Sequence, residues 1–113
     1  MLGEVTSNEC LSSAGVQIRK LLGEFHLSSA RHQLVSHLSG GQKRRLSICM
    51  ALLGEPRFLV FDEPTTGVDP VARRQIWASL QRRRDDRTIL FTTHFMDEAD
   101  LLAGPFILRI FFV

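Results

Sequence analysis

An α/β fold with parallel strands is what this sequence predicts, and three observations carry that expectation. Helical and β-prone stretches alternate in the order helix, strand, helix, strand, helix, the pattern of parallel strands joined by right-handed crossovers. Phe58-Leu59-Val60-Phe61 is a short unbroken apolar run, which suits a strand buried on both faces of a parallel sheet. That run stops abruptly at Asp62-Glu63-Pro64, and in open α/β sheets ligands bind beyond the carboxyl ends of strands.

The elements follow in order. Residues 1–15 show no clear period and include Gly3, Ser7, Asn8, Ser12, Ser13 and Gly15, so they read as loose. Ile18, Leu21, Leu22 and Phe25 keep helical spacing, which predicts a helix over about 16–25. Residues 26–37 are polar and read as a connection. Leu38-Ser39-Gly40-Gly41-Gln42 follows, with two glycines expected to make a flexible turn. A helix is expected from Gln42 to Leu53, with Lys43, Arg44 and Arg45 on an exposed first turn and an apolar run behind them. Gly54 and Pro56 stop it. After the first strand comes a turn, Thr65 to Pro70, and a helix over about 71–83 marked by Ala72, Ile76, Trp77 and Leu80. Thr88 to Thr92 forms the next β-prone run, leading into Thr93-His94. A short acidic helix, Met96 to Leu102, is broken by Gly104-Pro105, and the tail from Phe106 to Val113 is apolar apart from Arg109.

Composition narrows the function classes. The chain has 113 residues, 44% of them apolar and 23% charged, the balance of a globular domain rather than a disordered tail or a collagen-like repeat. Two cysteines, Cys10 and Cys49, make no zinc or disulfide framework and suit a reducing compartment. A net charge of +2 gives no reason to expect a nucleic-acid partner. No apolar run reaches the length of a membrane span, and the N-terminal residues lack the pattern of a signal peptide. A chain this short holds one modest core.

Three spacings carry chemistry. Asp62 and Glu63, adjacent at a strand end, diverge and can do different work, one holding a magnesium ion and the other polarising a water. If the two strands are neighbours, His94 lies on the same rim and can reach the same ligand. Ser39-Gly40-Gly41 leads into a helix, whose free N–H groups and partial positive charge favour phosphate. Each has a plainer reading alone: a helix cap, a solvated loop, a strand-end histidine without a ligand. Their conjunction is far harder to reach by accident. The cluster Arg82-Arg83-Arg84 with Arg87 reads as a solvated helix end, and His26, His32 and His37 need no role.

These residues resemble a known family. Leu38-Ser39-Gly40-Gly41-Gln42 is similar to the signature motif of ATP-binding-cassette (ABC) ATPases, Phe58 to Glu63 to their Walker B strand, Gly67-Val68-Asp69-Pro70 to their D-loop, and His94 to their switch histidine. The details Arg73-Arg74-Gln75-Ile76-Trp77 and His94-Phe95-Met96-Asp97-Glu98-Ala99-Asp100 look most like the A subfamily of ABC transporters, large membrane proteins that mostly move lipids. The resemblance implies a partial P-loop NTPase-type fold with mostly parallel strands and a piece of the helical subdomain. It implies that Asp62 helps hold Mg2+, that Glu63 is the general base for water attack on the γ-phosphate of ATP, and that His94 contacts that phosphate. Ser39, Gly40, Gly41 and Gln42 would touch a nucleotide held by the opposite ATPase domain, and Asp69 would sit at the interface between the two. The implied partners are that opposite domain, the transmembrane domains of a parent transporter at the cytoplasmic face of a membrane, and through the parent a lipid substrate.

The resemblance spans about 16–103, leaving 1–15 unassigned and 104–113 as a divergent apolar tail, read as sequence from outside the domain. No two glycines stand five apart, so the phosphate-binding pattern G-x-x-x-x-G-K-[ST] is absent from these residues. The chain by itself is therefore expected neither to bind ATP tightly nor to hydrolyse it. Its shortened sheet is expected to leave an apolar edge, making the isolated chain marginal or molten. The tail reads more simply as a substitute strand on that edge than as a membrane-interacting end. Two other functions compete: a soluble ABC ATPase serving DNA repair or translation, and a truncated non-catalytic product that docks on an intact ATPase domain.

Overall fold

The computed structural model describes residues 7–101 and 107–111. Helix α1 spans Ser7–Glu24, so the reading of 1–15 as loose is corrected for 7–15, while 1–6 lie outside the described residues. Serine and glycine cost a helix only tenths of a kcal/mol to about 1 kcal/mol each. Once the packed turn around Leu21 and Phe25 has formed, each further residue adds a hydrogen bond for little extra ordering. His26 ends α1 in the left-handed region, φ 56°. Its N–H donates to the Gly23 carbonyl and that of Leu27 to the Leu22 carbonyl, the paired bonds that close a helix C-terminus.

Two short 3-10 turns, Ser28–Ala30 and Val35–His37, make the polar connection. Helix α2, Gly40–Leu52, begins two residues earlier than the periodicity suggests. The expected flexible turn is instead the first turn of this helix. A capping box explains it: Ser39 Oγ accepts from Gln42 N at 3.1 Å, and Gln42 Oε1 accepts from Ser39 N at 2.9 Å. Two glycine penalties at a helix start are offset by that reciprocal pair. Arg45, expected on an exposed turn, is half-buried and donates to the Phe25 carbonyl at 3.0 Å, so it ties α2 to the end of α1.

Strand β1 is Phe58–Asp62 and strand β2 is Thr88–Thr93. Between them runs α3, Pro70–Arg82, started by proline in its first turn and by Asp69, whose carboxylate accepts from Ala72 N at 3.1 Å. Helix α4, Met96–Leu101, and strand β3, Ile107–Phe111, follow. The sheet order is β1-β2-β3, all parallel. Part of the tail thus forms a strand, paired on β2 rather than on the outer edge of β1. The expectation that β1 is buried on both faces is corrected: Leu59 and Phe61 point into the core, but Phe58 and Val60 are 61% and 60% exposed. An edge strand of a small sheet has helices enough for one face only.

The core is one cluster. Leu21, Phe25, Leu27, Ile48 and Leu52 belong to it together with Ile76, Trp77 and Leu80 of α3 and Ile89 and Phe91 of β2. The Trp77 and Phe91 rings sit 5.0 Å apart at 51°, an inclined pairing that favours the contact. The reading of the arginine cluster is corrected at Arg83, which is half-buried, while Arg82 stays 63% exposed. Arg83 forks onto both carboxylate oxygens of Glu24, Arg82 adds a contact at 2.8 Å, and Ser79 donates to the same carboxylate. The hydrogen bonds from Arg83 hold the Glu24 carboxyl well below the usual range, at about 2. Sequence separation hid this clamp, since its partners lie 59 positions apart. Among the described residues no helix is long and apolar enough to cross a membrane.

Candidate functional site

The parallel register sets Asp62 opposite Thr92, so the residues that end β1 and β2 share one rim of the sheet. Thr92 organises it. Its hydroxyl donates to Asp62 Oδ1 at 2.5 Å and accepts from Glu63 N at 3.0 Å. The Thr92 carbonyl also accepts from Glu63 N at 3.1 Å. These contacts turn the chain sharply after Asp62, and Glu63 takes φ 43°. A non-glycine residue held there stores about 1–3 kcal/mol, a cost found where function fixes the backbone.

That turn aims Glu63 at His94. Glu63 Oε1 lies 3.0 Å from His94 Nδ1, and Oε2 lies 3.4 Å from Thr66 Oγ1. The pair is open to solvent, with side chains 38% and 47% exposed. A carboxylate and an imidazole in contact, accessible and next to a second carboxylate, can accept a proton from a water and hold an anion. The adjacency of strand ends that the sequence reading requires is therefore present for Asp62, Glu63 and His94.

Asp62 suits a hard cation in part. One oxygen is taken by Thr92, leaving Oδ2 for an ion or its water. No cluster of three or more metal-ligating side chains exists among the described residues. A single carboxylate fits magnesium, which keeps waters and shares phosphate oxygens rather than sitting in a protein cage. Beside Asp62 a cleft of about 310 Å³ is lined by Arg44, Ser47, Val60 and Pro64 among others. A second depression, about 620 Å³, lies elsewhere, between α1 and Gly54-Glu55, and holds none of the expected site residues.

Ser39, Gly40, Gly41 and Gln42 are not part of this rim. They form the start of α2, with Ser39 and Gly40 exposed and Gly41 and Gln42 half-buried. An added Cβ at Gly40 or Gly41 would meet nothing within 4 Å, so the fold does not require glycine at either position. Ser39 Oγ acts as an acceptor in the cap and keeps its O–H to donate. Asp69 is likewise exposed, with its carboxylate used as a cap.

Sequence reasoning missed several supporting residues. Thr92 stood in the β-prone run with no signal except its place opposite Asp62. Glu98 is 3% exposed and gathers Thr65, Thr93 and Arg73 around it. The sequence marks it only as one acid of a short acidic helix and gives no sign of its burial.

Comparison with known proteins follows the same residues. Residues 2–66 match the sequence family described as ABC transporter. ATP-binding cassette sub-family A member 6 of Mus musculus is 48% identical over 87 residues, covering 77% of this chain and 5% of the relative. ATP-binding cassette sub-family A member 2 of Homo sapiens is 51% identical over 86 residues, 76% of this chain and 4% of the relative. The ABC-type organic anion transporter ABCA8A of Mus musculus is 47% identical over 87 residues, 77% of this chain and 5% of the relative. The chain therefore spans a small fraction of the length of these relatives. A crystal structure of the ADP conformation of an ATP-binding cassette of an ABC transporter aligns with TM-score 0.62 and 27% identity, over 87% of this chain and 42% of that one. A nucleotide-free cassette aligns with TM-score 0.67 and 23% identity, over 97% of this chain and 47% of that one, a likeness of fold.

Proposed function

The chain belongs to the ABC transporter family, and on that premise we propose that residues 16–103 are the C-terminal portion of an ATP-binding and hydrolysing domain of an A-subfamily transporter, which moves lipids. The parent's transmembrane domains and a second ATPase domain are the partners this reading requires, with the chain at the cytoplasmic face of the membrane. The observation that carries the reading is the Glu63–His94 contact of 3.0 Å beside Asp62 on one sheet rim.

In this reading ATP with Mg2+ supplies the phosphoanhydride bond that water cleaves. Glu63 accepts the water's proton, and its fixed turn limits the positions its carboxylate can take. Asp62 offers Oδ2 to the cation, while Thr92 holds Oδ1. His94 faces Glu63 through Nδ1, which leaves Nε2 for a phosphate oxygen, and a doubly protonated ring donates to both. Ser39, Gly40 and Gly41 serve a nucleotide held by the opposite domain. The open space at both glycines, which weaken the helix without serving its packing, supports a role that needs close backbone approach to phosphate. Asp69, on the surface at the start of α3, faces the opposite domain in this arrangement.

The test replaces the matching segment of a complete A-subfamily ATPase domain with residues 16–103. The chimera is expected to hydrolyse ATP, and Glu63→Gln to lower turnover by about 10²-fold or more. Unchanged turnover in that variant would sink the assignment. The 113 residues alone are expected to show no turnover, because they lack a phosphate loop. Hydrolysis by the purified chain that Glu63→Gln abolishes would overturn this.

Two alternatives remain distinct from it. The transporter names of the matched relatives favour a transporter over a soluble repair or translation ATPase. The exposed start of α2 supports the non-catalytic reading, in which this chain docks on an intact ATPase domain. Co-purification with such a partner, lost on Gly41→Asp, is its expected signature.

A further inference from the structure

We propose that Glu98 is a positioning residue that holds Glu63 and His94 against each other through a buried network. The inference rests on the reading of that pair as the water-activating site and deepens it. Glu98 lies on α4, 3% exposed. A buried carboxylate is costly unless it is paired and hydrogen-bonded, and each of its partners leads to the rim. Thr65 Oγ1, two residues after Glu63, donates to the carboxylate at 2.8 and 2.9 Å. Thr93 Oγ1, next to His94, donates at 3.0 Å. The same Thr93 oxygen accepts from Phe95 N at 3.1 Å, on the other side of His94.

Arg73 completes the network. Its Nε lies 3.3 Å from Glu98 Oε1, without the geometry of a directed hydrogen bond, so it acts as a neutralising charge. Its guanidinium sits 4.2 Å above the Phe95 ring, and that ring lies 4.2 Å from the imidazole. The residues flanking His94 on both sides are thus tied to the loop that carries Glu63. Neither Glu63 nor His94 is buried, so their own packing does not fix them. The immobile part lies one layer beneath, in Glu98.

The tautomer of His94 is a readout that general stability does not move. A neutral ring that donates from Nδ1 to Glu63 must carry its hydrogen there. Ring nitrogen shifts of the 113-residue chain, compared between variants at one alkaline pH, report that population. The Nδ1–H fraction of His94 is expected to be at least about twofold higher in the parent chain than in Glu63→Ala, which removes the acceptor. Glu98→Gln and Thr93→Val are each expected to reduce it to the Glu63→Ala level while the amide spectrum stays dispersed. Should Glu98→Gln fail to fold, Thr93→Val decides, since it leaves Glu98 paired with Thr65 and Arg73. A folded variant that keeps the parent fraction overturns the proposal, and so does a parent chain no different from Glu63→Ala. The experiment contains no nucleotide. An inactive chimera with the tautomer effect intact would sink the catalytic reading alone.

Discussion

Glu63 sits at φ 43° because three groups agree on it: the Thr92 hydroxyl, the Thr92 carbonyl and the His94 ring. At the residue scale the site is a set of such agreements. Asp62, Glu63 and His94 could be picked out from their places after β-prone runs. Thr92 could not, because its role depends on a cross-strand register that no local pattern encodes. Glu98 could not either, since a lone acid in an acidic helix looks solvated until the chain folds over it. Glu24 carries the clearest pH consequence. Its carboxyl falls from an ordinary 4.5 to about 2 in the fold, so its stabilisation is complete above pH 4.5 and is lost as pH falls through 2. With a side chain only 16% exposed, the shift corresponds to about 3 kcal/mol. Glu24→Gln is expected to lower the melting point at pH 7, followed by Trp77 fluorescence, and to flatten the acid limb between pH 5 and 2. Equal acid limbs in both proteins would show that the clamp contributes nothing.

Element boundaries follow caps more closely than apolar periodicity. Helix α2 begins where Ser39 and Gln42 exchange hydrogen bonds, although glycines at its first two positions argue for a turn. The cap and the glycines should respond oppositely to alanine. Ser39→Ala is expected to destabilise the chain by about 1 kcal/mol. Gly41→Ala, with nothing within 4 Å of the new methyl, is expected to be neutral or to stabilise it by about 0.5 kcal/mol. Denaturant midpoints at constant m-value would measure both, and a large loss in Gly41→Ala would mean that the fold itself needs glycine. Helix α1 shows the limit of periodicity in the other direction. Its first two turns have no stripe to read, and they are helical because the packed turns behind them are.

Among the described residues the whole molecule has a three-stranded parallel sheet whose core is continuous from α1 to β2. The α/β class and the order of the elements were legible because runs such as Phe58 to Phe61 and Thr88 to Thr92 are distinct from the helices between them. One-sided burial of β1 was not legible, since an apolar run shows that a strand can be covered on both faces, not that it is. The uncovered Phe58 and Val60 make an adhesive surface on an edge strand. Val60→Lys is expected to suppress concentration-dependent light scattering while shifting stability by no more than about 1 kcal/mol. Scattering that persists unchanged would place the sticky surface elsewhere.

The contact between Glu63 and His94 joins residues 31 positions apart. Parallel pairing of β1 with β2 must wait for the intervening helix to swing the chain back, so it contributes nothing to the earliest collapse. The carboxylate and the imidazole therefore meet only once β1 and β2 have paired across that crossover. Before that pairing β1 offers both of its edges to neighbouring chains, and afterwards one edge stays open, so pairing halves the adhesive ribbon without abolishing it.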